Sequence, residues 1–267
     1  MAVDFSFKDK YNINDLIEIV RILRAPGGCP WDIKQTHASI KKDFIEETYE
    51  VVEAINKDDK TLLCEELGDV LLQVAFHADI ERENGTFDFD DVADGICKKL
   101  IIRHPHVFGG VKADTADEVL TNWDEIKRRT KHQKSVAESI DSIPRELPAL
   151  MRAAKIQSRA AKTGFDFDSI DGAFDKITEE TAELREAIVS GDKAKISDEL
   201  GDLLFAAVNA SRFTGVEAEE SLTASSDKFA SRFKITEELA KQRNIDMKSA
   251  SIEELDVLWD EAKKLTK

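Results

Sequence analysis

Two segments of the chain carry the same four carboxylates at the same spacing, with an offset of 133 residues. In each segment, an acidic pair three residues apart is followed by a second such pair, which begins 16 residues later. The first set is Glu47, Glu50, Glu66 and Asp69, and the second set is Glu180, Glu183, Glu199 and Asp202. Residues three apart share one face of a helix, and carboxylate oxygens are ligands that Mg²⁺ prefers. The pattern therefore predicts a divalent-metal site in each segment.

The two segments belong to an internal repeat. Residues 46–69 and 179–202 align without a gap and are identical at 13 of 24 positions, far more than chance gives. We call them the first copy and the second copy. Because the similarity extends over most of each half, the sequence predicts two homologous domains, at residues 1–131 and 147–267, with a linker at 132–146.

Helices must position these carboxylates, because apolar residues recur at three- and four-residue spacing through both halves. The segments of this kind in the first half are 13–23, 40–55, 62–80 and 92–102. Runs of alternating β-branched residues are missing from the sequence. We therefore expect an all-α protein of two tandem helical-bundle domains. Tight connections between paired helices are predicted at 56–59 and 190–192.

A solvated acidic face is the simplest alternative to a metal site. The residues after Asp69 and Asp202 argue against it, because both helices continue with apolar residues nearly all round, which predicts burial. Converging buried carboxylates are costly unless a cation neutralises them. A di-iron carboxylate bundle would need Glu-x-x-His, and none of the five histidines has Glu three positions before it. Mg²⁺ is therefore the predicted ion.

The composition restricts the partners and the compartment. A net charge of −16 argues against a nucleic-acid partner, because binding its backbone requires Lys and Arg to neutralise phosphates. No apolar run approaches the roughly 20 residues of a membrane span, and the first residues do not resemble a signal peptide. We expect a cytoplasmic protein without membrane contact. The separated cysteines Cys29, Cys64 and Cys97 are predicted to be small buried thiols.

The residues resemble the MazG nucleoside triphosphate pyrophosphohydrolases, whose signature is Glu-Glu-x-x-Glu followed by Glu-x-x-Asp. Both copies match this signature, and the resemblance covers essentially the whole chain. Further matching segments are 28–32, 35–36, 103–108, Trp123 with Lys127, and 147–150. The resemblance implies Mg-dependent hydrolysis of nucleoside triphosphates to the monophosphate and pyrophosphate, with Mn²⁺ as a substitute ion. It also implies an all-α homodimer.

Individual roles follow from the resemblance and from the chemistry of the side chains. Glu180 is a predicted catalytic ligand, and Glu179 or Glu46, which precede the first ligand of each copy, would orient an attacking water. Lys228 and Arg232, four apart on one helical face, would contact the triphosphate, with a solvated basic edge as the alternative. Further substrate-binding candidates are Lys176, Lys195, Asn209, Lys127 and Trp259, the last as a surface on which the base stacks.

Two questions stay open in the sequence. Both copies keep all four carboxylates, and the pair Lys228 and Arg232 favours the second copy as the main active site. A rival from another class is a nucleotide-sensing helical scaffold that binds Mg-nucleotide at one or both copies without turnover. A P-loop ATPase is not supported, because the chain has no Gly-x-x-x-x-Gly-Lys-[Ser/Thr] segment.

Overall fold

The computed structural model describes residues 5–110, Thr115, Val119, Ile126 and residues 135–266. These residues form α-helices, one short 3₁₀ helix at Asp32–Lys34 and no β-strand, which confirms the all-α prediction. The chain divides into two compact units, Met1–Lys127 and Arg128–Lys267, and each unit carries one copy of the motif. Among the described residues, no helix is long and apolar enough to cross a membrane.

The first unit is organised around a helical hairpin. Its helices are α1 (Ile13–Arg24), α2 (His37–Asn56), α3 (Lys60–Asn84), α4 (Phe89–Arg103) and α5 (Pro105–Phe108). Helices α2 and α3 pack against each other, and α1 and α4 pack on α3. Asp58 has a φ of 52°, and Asp59 caps α3 with its side chain, so the chain reverses direction between the two helices. The core consists of Val20, Ile40, Ala75, Phe76 and Ile80.

The second unit repeats the hairpin and adds a helical pair. Its helices are α6 (Val136–Asp141), α7 (Ala149–Ala161), α8 (Ile170–Ser190), α9 (Lys193–Thr214), α10 (Ala218–Gln242) and α11 (Ile252–Leu265). Helices α8 and α9 form the hairpin, with Gly191 in the left-handed region and Asp192 as the cap of α9. Helix α7 packs on α9. Helices α10 and α11 meet around Leu239, Ala240 and Leu258.

Two details differ from the sequence analysis. The described part of the predicted linker contains α6, which packs on α7, and the buried Ile143. The prediction of buried thiols is wrong, because Cys64 on α3 and Cys97 on α4 are exposed and Cys29 is half-buried. Cys64 and Cys97 lie on sides of their helices that the packing leaves uncovered.

Candidate active site

The hairpin of α2 and α3 brings the carboxylates of the first copy together. Glu47, Glu66 and Asp69 each offer an oxygen within 4.8 Å of the others. Glu50 lies next to this group, because its carboxyl contributes to a raised pKa at both Glu47 and Glu66. Burial, followed by the hydrogen bond with Glu50 and the neighbouring negative charges, raises the pKa of Glu47 to about 7. Burial is also the main cause of a raised pKa at Glu66.

Two overlapping acidic groups make up the second copy. Glu179, Glu180 and Glu183 form one group, and Glu180, Glu199 and Asp202 form the other, each with oxygens within 4.8 Å of one another. Glu180 belongs to both groups and is only 3% exposed. Its Oε2 has no hydrogen-bond partner among the described residues. A buried carboxylate oxygen of this kind is costly without a partner, and a bound cation would supply one.

The carboxylates that are buried in the structure are not those that the sequence predicts to be buried. Asp202 is exposed and Asp69 is half-buried, whereas Glu66 and Glu180 are buried. The burial predicted for the apolar residues after the two aspartates holds only in part, because Phe76 and Val208 are buried whereas Leu71 is exposed. The physical reason is that α3 and α9 bury only part of their circumference, so that an apolar residue such as Leu204 stays exposed.

The second copy has a lysine next to its buried glutamate. Nζ of Lys176 lies 2.5 Å from Oε1 of Glu180 and 2.9 Å from Oε1 of Glu179. Hydrogen bonds to Glu180 and then to Glu179 raise the pKa of Lys176 above its ordinary value, so the lysine is charged at neutral pH. The repeat places Asp43 at the corresponding position of the first unit. The two copies therefore differ in charge beside an otherwise identical set of carboxylates.

A cavity of about 510 Å³ borders the carboxylates of the second copy. Lys176, Glu180 and Asp202 form part of its wall. Much of the remaining wall comes from aromatic and polar residues, among them Phe165, Phe167, Phe205, Gln157, Asn209 and Arg212. Of these six, the sequence analysis singled out only Asn209. The others lie outside the acidic repeat, and no motif of the sequence marked them.

Three of the remaining candidates have different surroundings. Lys195 stands in the first turn of α9 and lines an open cleft together with Asp202. Glu46 is exposed on α2 next to Glu47. Lys127, like Trp123, lies outside the described residues.

The last three candidates lie together on the pair formed by α10 and α11. Lys228 is exposed on α10, and Arg232 of the same helix donates from Nε to Oγ1 of Thr266 at 3.1 Å. Trp259 of α11 packs on Phe229, with the ring centroids 5.0 Å apart. The structure thus groups Lys228, Arg232 and Trp259 on one helical pair, and it places Lys176 beside the carboxylates.

The fold and the acidic groups define a class of protein, the tandem all-α proteins with one carboxylate cluster on each helical hairpin. A family model described as the MazG nucleotide pyrophosphohydrolase domain matches the chain twice, at residues 35–108 and 169–236. The two matches contain the two acidic clusters. The chain belongs to the MazG nucleotide pyrophosphohydrolase family.

Known relatives are similar over nearly the whole chain. The nucleoside triphosphate pyrophosphohydrolase of Escherichia coli (strain K12) is 44% identical, over 94% of this chain and 97% of that protein. The nucleoside triphosphate pyrophosphohydrolase/pyrophosphatase MazG of Thermotoga maritima is also 44% identical, over 93% of this chain and 94% of its own length. The uncharacterized protein YabN of Bacillus subtilis is 47% identical, over 92% of this chain and 50% of YabN. The similarity therefore includes both units.

Proposed function

We propose that this chain hydrolyses nucleoside triphosphates to nucleoside monophosphates and pyrophosphate, with Mg²⁺ at its carboxylate clusters and Mn²⁺ as a substitute. The observation that carries the proposal is Glu180, a buried carboxylate shared by two acidic groups, with an oxygen that lacks a partner among the described residues. Membership in the MazG family supports the reaction, as do two relatives named as nucleoside triphosphate pyrophosphohydrolases.

The donor set fits a hard divalent cation, because every candidate ligand is a carboxylate. The proposed ligands are Glu180, Glu183, Glu199 and Asp202 in the second copy and Glu47, Glu50, Glu66 and Asp69 in the first. Bound Mg²⁺ would stabilise negative charge on phosphate oxygens and lower the pKa of an attacking water. Its positive charge would also remove the energetic cost of burying Glu180 and Glu66.

The residues around the ligands have complementary tasks in this proposal. Glu179 is exposed at the edge of the second cluster, where its carboxylate would orient the attacking water and accept a proton from it. Glu46 is its counterpart in the first copy. Lys176 would pair with a phosphate oxygen once a cation takes over its role beside Glu180. Lys195, which shares a cleft with Asp202, would contact the phosphates from α9.

The remaining basic candidates keep the roles that the family resemblance implies. Lys228 and Arg232 would bind the outer phosphates, since Arg and Lys complement the oxygens that a metal leaves uncovered. Trp259 offers a flat apolar surface for a base. Lys127 is a further candidate for a phosphate contact.

The second copy is the main site of turnover in our proposal. Its support is the charge of Lys176 at the cluster and the cavity next to Glu180. We also propose that the chain is a cytoplasmic homodimer. The support for the dimer is an apolar face of α2, on which Ile45, Tyr49 and Val52 are exposed at three- and four-residue spacing.

A product assay tests the function. The purified chain is incubated with Mg²⁺ and a panel of ribo- and deoxynucleoside triphosphates, and pyrophosphate is measured against orthophosphate. Pyrophosphate with nucleoside monophosphate is the expected pair of products. Orthophosphate would indicate a phosphatase instead. Binding of Mg-nucleotide without either product would support the rival function, a nucleotide-sensing scaffold.

A further inference from the structure

The cavity beside Glu180 has the size and the lining of a small-molecule site. Its volume of about 510 Å³ lies within the range of about 300–1,000 Å³ that is usual for such sites. Phe165 on its wall is 82% exposed, and Phe167 and Phe205 are partly exposed. A flat apolar ligand would remove these rings from water. The wall is continuous with Glu180 and Asp202, so a ligand with phosphates at the carboxylates extends into the cavity.

Gln157 lines this cavity and keeps a buried hydrogen-bond acceptor without a partner among the described residues. The side chain is only 6% exposed, and its Nε2 donates to the backbone oxygen of Phe205 at 2.7 Å. A carbonyl oxygen can only accept, so this bond fixes which end of the amide is the nitrogen. The other end, Oε1, is buried and has no hydrogen-bond partner among the described residues. An unpartnered buried acceptor calls for a donor, and a ligand in the cavity would supply it.

The side chain of Asn209 has its oxygen engaged, which leaves its amide nitrogen as a hydrogen-bond donor. Its Oδ1 accepts from Nε of Arg212 at 3.1 Å and from Nη2 of the same residue at 2.9 Å. A guanidinium can only donate, so the orientation of this amide is fixed as well, and Nδ2 is its donor end. Arg212 also pairs with Asp166, which ties the loop that carries Phe165 to α9. The cavity is therefore lined by two amide side chains of fixed orientation, one with an unpartnered acceptor and one whose oxygen is already hydrogen-bonded.

The repeat explains why this space exists in the second copy. Ala206 and Asn209 occupy the positions at which the first copy has Gln73 and Phe76. Both residues of the first copy are buried, and Phe76 belongs to the core of its unit. Smaller side chains at the same positions leave room in the second copy. The cavity is thus a consequence of divergence between the two copies, beside a set of ligands that did not diverge.

We propose that this cavity binds the base of the nucleoside triphosphate, with Oε1 of Gln157 accepting an N–H of the base and Nδ2 of Asn209 donating to a neighbouring acceptor. The inference rests on the proposed function and concerns only the place and the chemistry of base recognition. The common bases all present an N–H next to an acceptor on their pairing edge. The site accordingly accepts several bases and rejects a base that is blocked at that edge. Trp259 is the competing location for the base.

Methylated bases test this proposal. The full chain with Mg²⁺ is given UTP against N3-methyl-UTP and ATP against N6,N6-dimethyl-ATP, and kcat/KM is measured by pyrophosphate release. Because the methyl groups remove the N–H, the wild type should lose about tenfold or more in kcat/KM on the methylated nucleotides. Gln157→Leu should lower kcat/KM on the natural nucleotides by a similar factor and abolish the discrimination. Ser158→Ala, at an exposed position of the same helix, is the matched control and should behave as the wild type.

The other outcomes are also decisive. A wild type that treats natural and methylated bases alike, or a folded Gln157→Leu variant that still discriminates, overturns the proposal. Discrimination that disappears in Trp259→Ala and persists in Gln157→Leu places the base at Trp259. Gln157→Met, which keeps the length of the side chain, replaces the leucine variant if that one does not fold. If no nucleotide releases pyrophosphate, the proposed function fails, and calorimetric binding of the same Mg-nucleotides tests the cavity without turnover.

Discussion

Lys176 neutralises Glu180, the most buried carboxylate of the two clusters, through a contact of 2.5 Å between Nζ and Oε1. The ammonium group contacts Oε1, and a divalent cation would take the unpartnered Oε2, so the two positive charges would weaken each other's hold on the same carboxylate. A lysine loosened in this way stays within reach of the second cluster, where phosphate oxygens would be its new partner. The contact would thereby link metal binding to nucleotide binding.

The first prediction concerns the removal of this lysine. Lys176→Met should bind Mg²⁺ more tightly in the absence of nucleotide, because no ammonium group competes with the cation for Glu180. It should also raise KM for nucleoside triphosphates by about tenfold, since a charged hydrogen bond to phosphate is lost. Calorimetry with Mg²⁺ and steady-state kinetics measure the two effects.

Lys241→Met is the matched control for this pair of measurements. Lys241 forms an exposed i,i+4 ion pair with Glu237 on α10, so the variant loses an ion pair of the same kind away from the clusters. It should change neither Mg²⁺ binding nor KM. A Lys176→Met variant with an unchanged affinity for Mg²⁺ would show that the lysine and the cation do not compete.

The second prediction follows from the raised pKa of Glu47, about 7 against an ordinary value of 4.5. Between these two values the folded chain binds more protons than the unfolded chain, so the free energy of unfolding of the metal-free protein falls as pH rises. The stabilisation is complete below about pH 4.5 and is lost as pH passes about 7. Mg²⁺ should oppose the loss, because it binds the deprotonated carboxylates. Thermal unfolding over this pH range, with EDTA or with Mg²⁺, measures both effects.

Glu47→Gln should flatten the pH dependence in EDTA, since the amide does not titrate. Glu46→Gln changes the adjacent exposed residue by the same chemistry and should leave the slope as in the wild type. If the unfolding temperature of the metal-free wild type rises over this pH range, the protonation of Glu47 does not govern stability there.

The sequence predicts the helices and the clusters well, for physical reasons. Three-residue spacing on two helices joined by a short turn leaves few arrangements, and the structure brings Glu47, Glu66 and Asp69 within 4.8 Å of one another as expected. Burial was harder to predict. It depends on which sides of α8 and α9 the other residues cover, and this covering leaves Glu180 of α8 buried and Asp202 of α9 exposed.

Motifs in the sequence could not predict the cavity either, because the cavity also depends on tertiary contacts. Gln157 is on α7, and Phe205 is far from it in sequence, so their hydrogen bond is a tertiary contact. Only a comparison of the two copies gives a signal in advance, because Asn209 stands at the position of Phe76 in otherwise similar helices. The contact of Lys176 with Glu180 was easier to predict from the sequence, since residues four apart on a helix are neighbours on its surface.

The third prediction separates the two copies. Glu183→Ala should lower kcat for pyrophosphate release by about 10²-fold or more, because it removes a carboxylate that would hold the charge-stabilising ion in our proposal. Glu50→Ala makes the identical change at the corresponding position of the first copy and should keep most of the turnover. The reverse result, or an equal loss in the two variants, would contradict the second copy as the main active site.

The fourth prediction tests the proposed role of Glu179, which is to orient the attacking water and accept a proton from it. Glu179→Gln should lower kcat by about 10²- to 10⁴-fold with little change in KM, because general-base assistance is lost while the ligands stay in place. Glu46→Gln is the matched change in the first copy and should have a small effect. Mg²⁺ binding measured on both variants should equal that of the wild type. Full turnover of Glu179→Gln would rule out the proposed role.

The fifth prediction concerns the apolar face that Ile45, Tyr49 and Val52 form on α2. By helical spacing, this face points away from Glu47 and Glu50. Another molecule of the same protein can therefore cover it without blocking the carboxylates. A charge in such an interface would be buried without a partner, and Tyr49→Glu should therefore shift the chain from dimer to monomer in light scattering. Thr61→Glu, at an exposed position of α3, adds the same charge elsewhere and should remain dimeric. A monomeric wild type, or a Tyr49→Glu variant that stays dimeric, would remove this face as the interface.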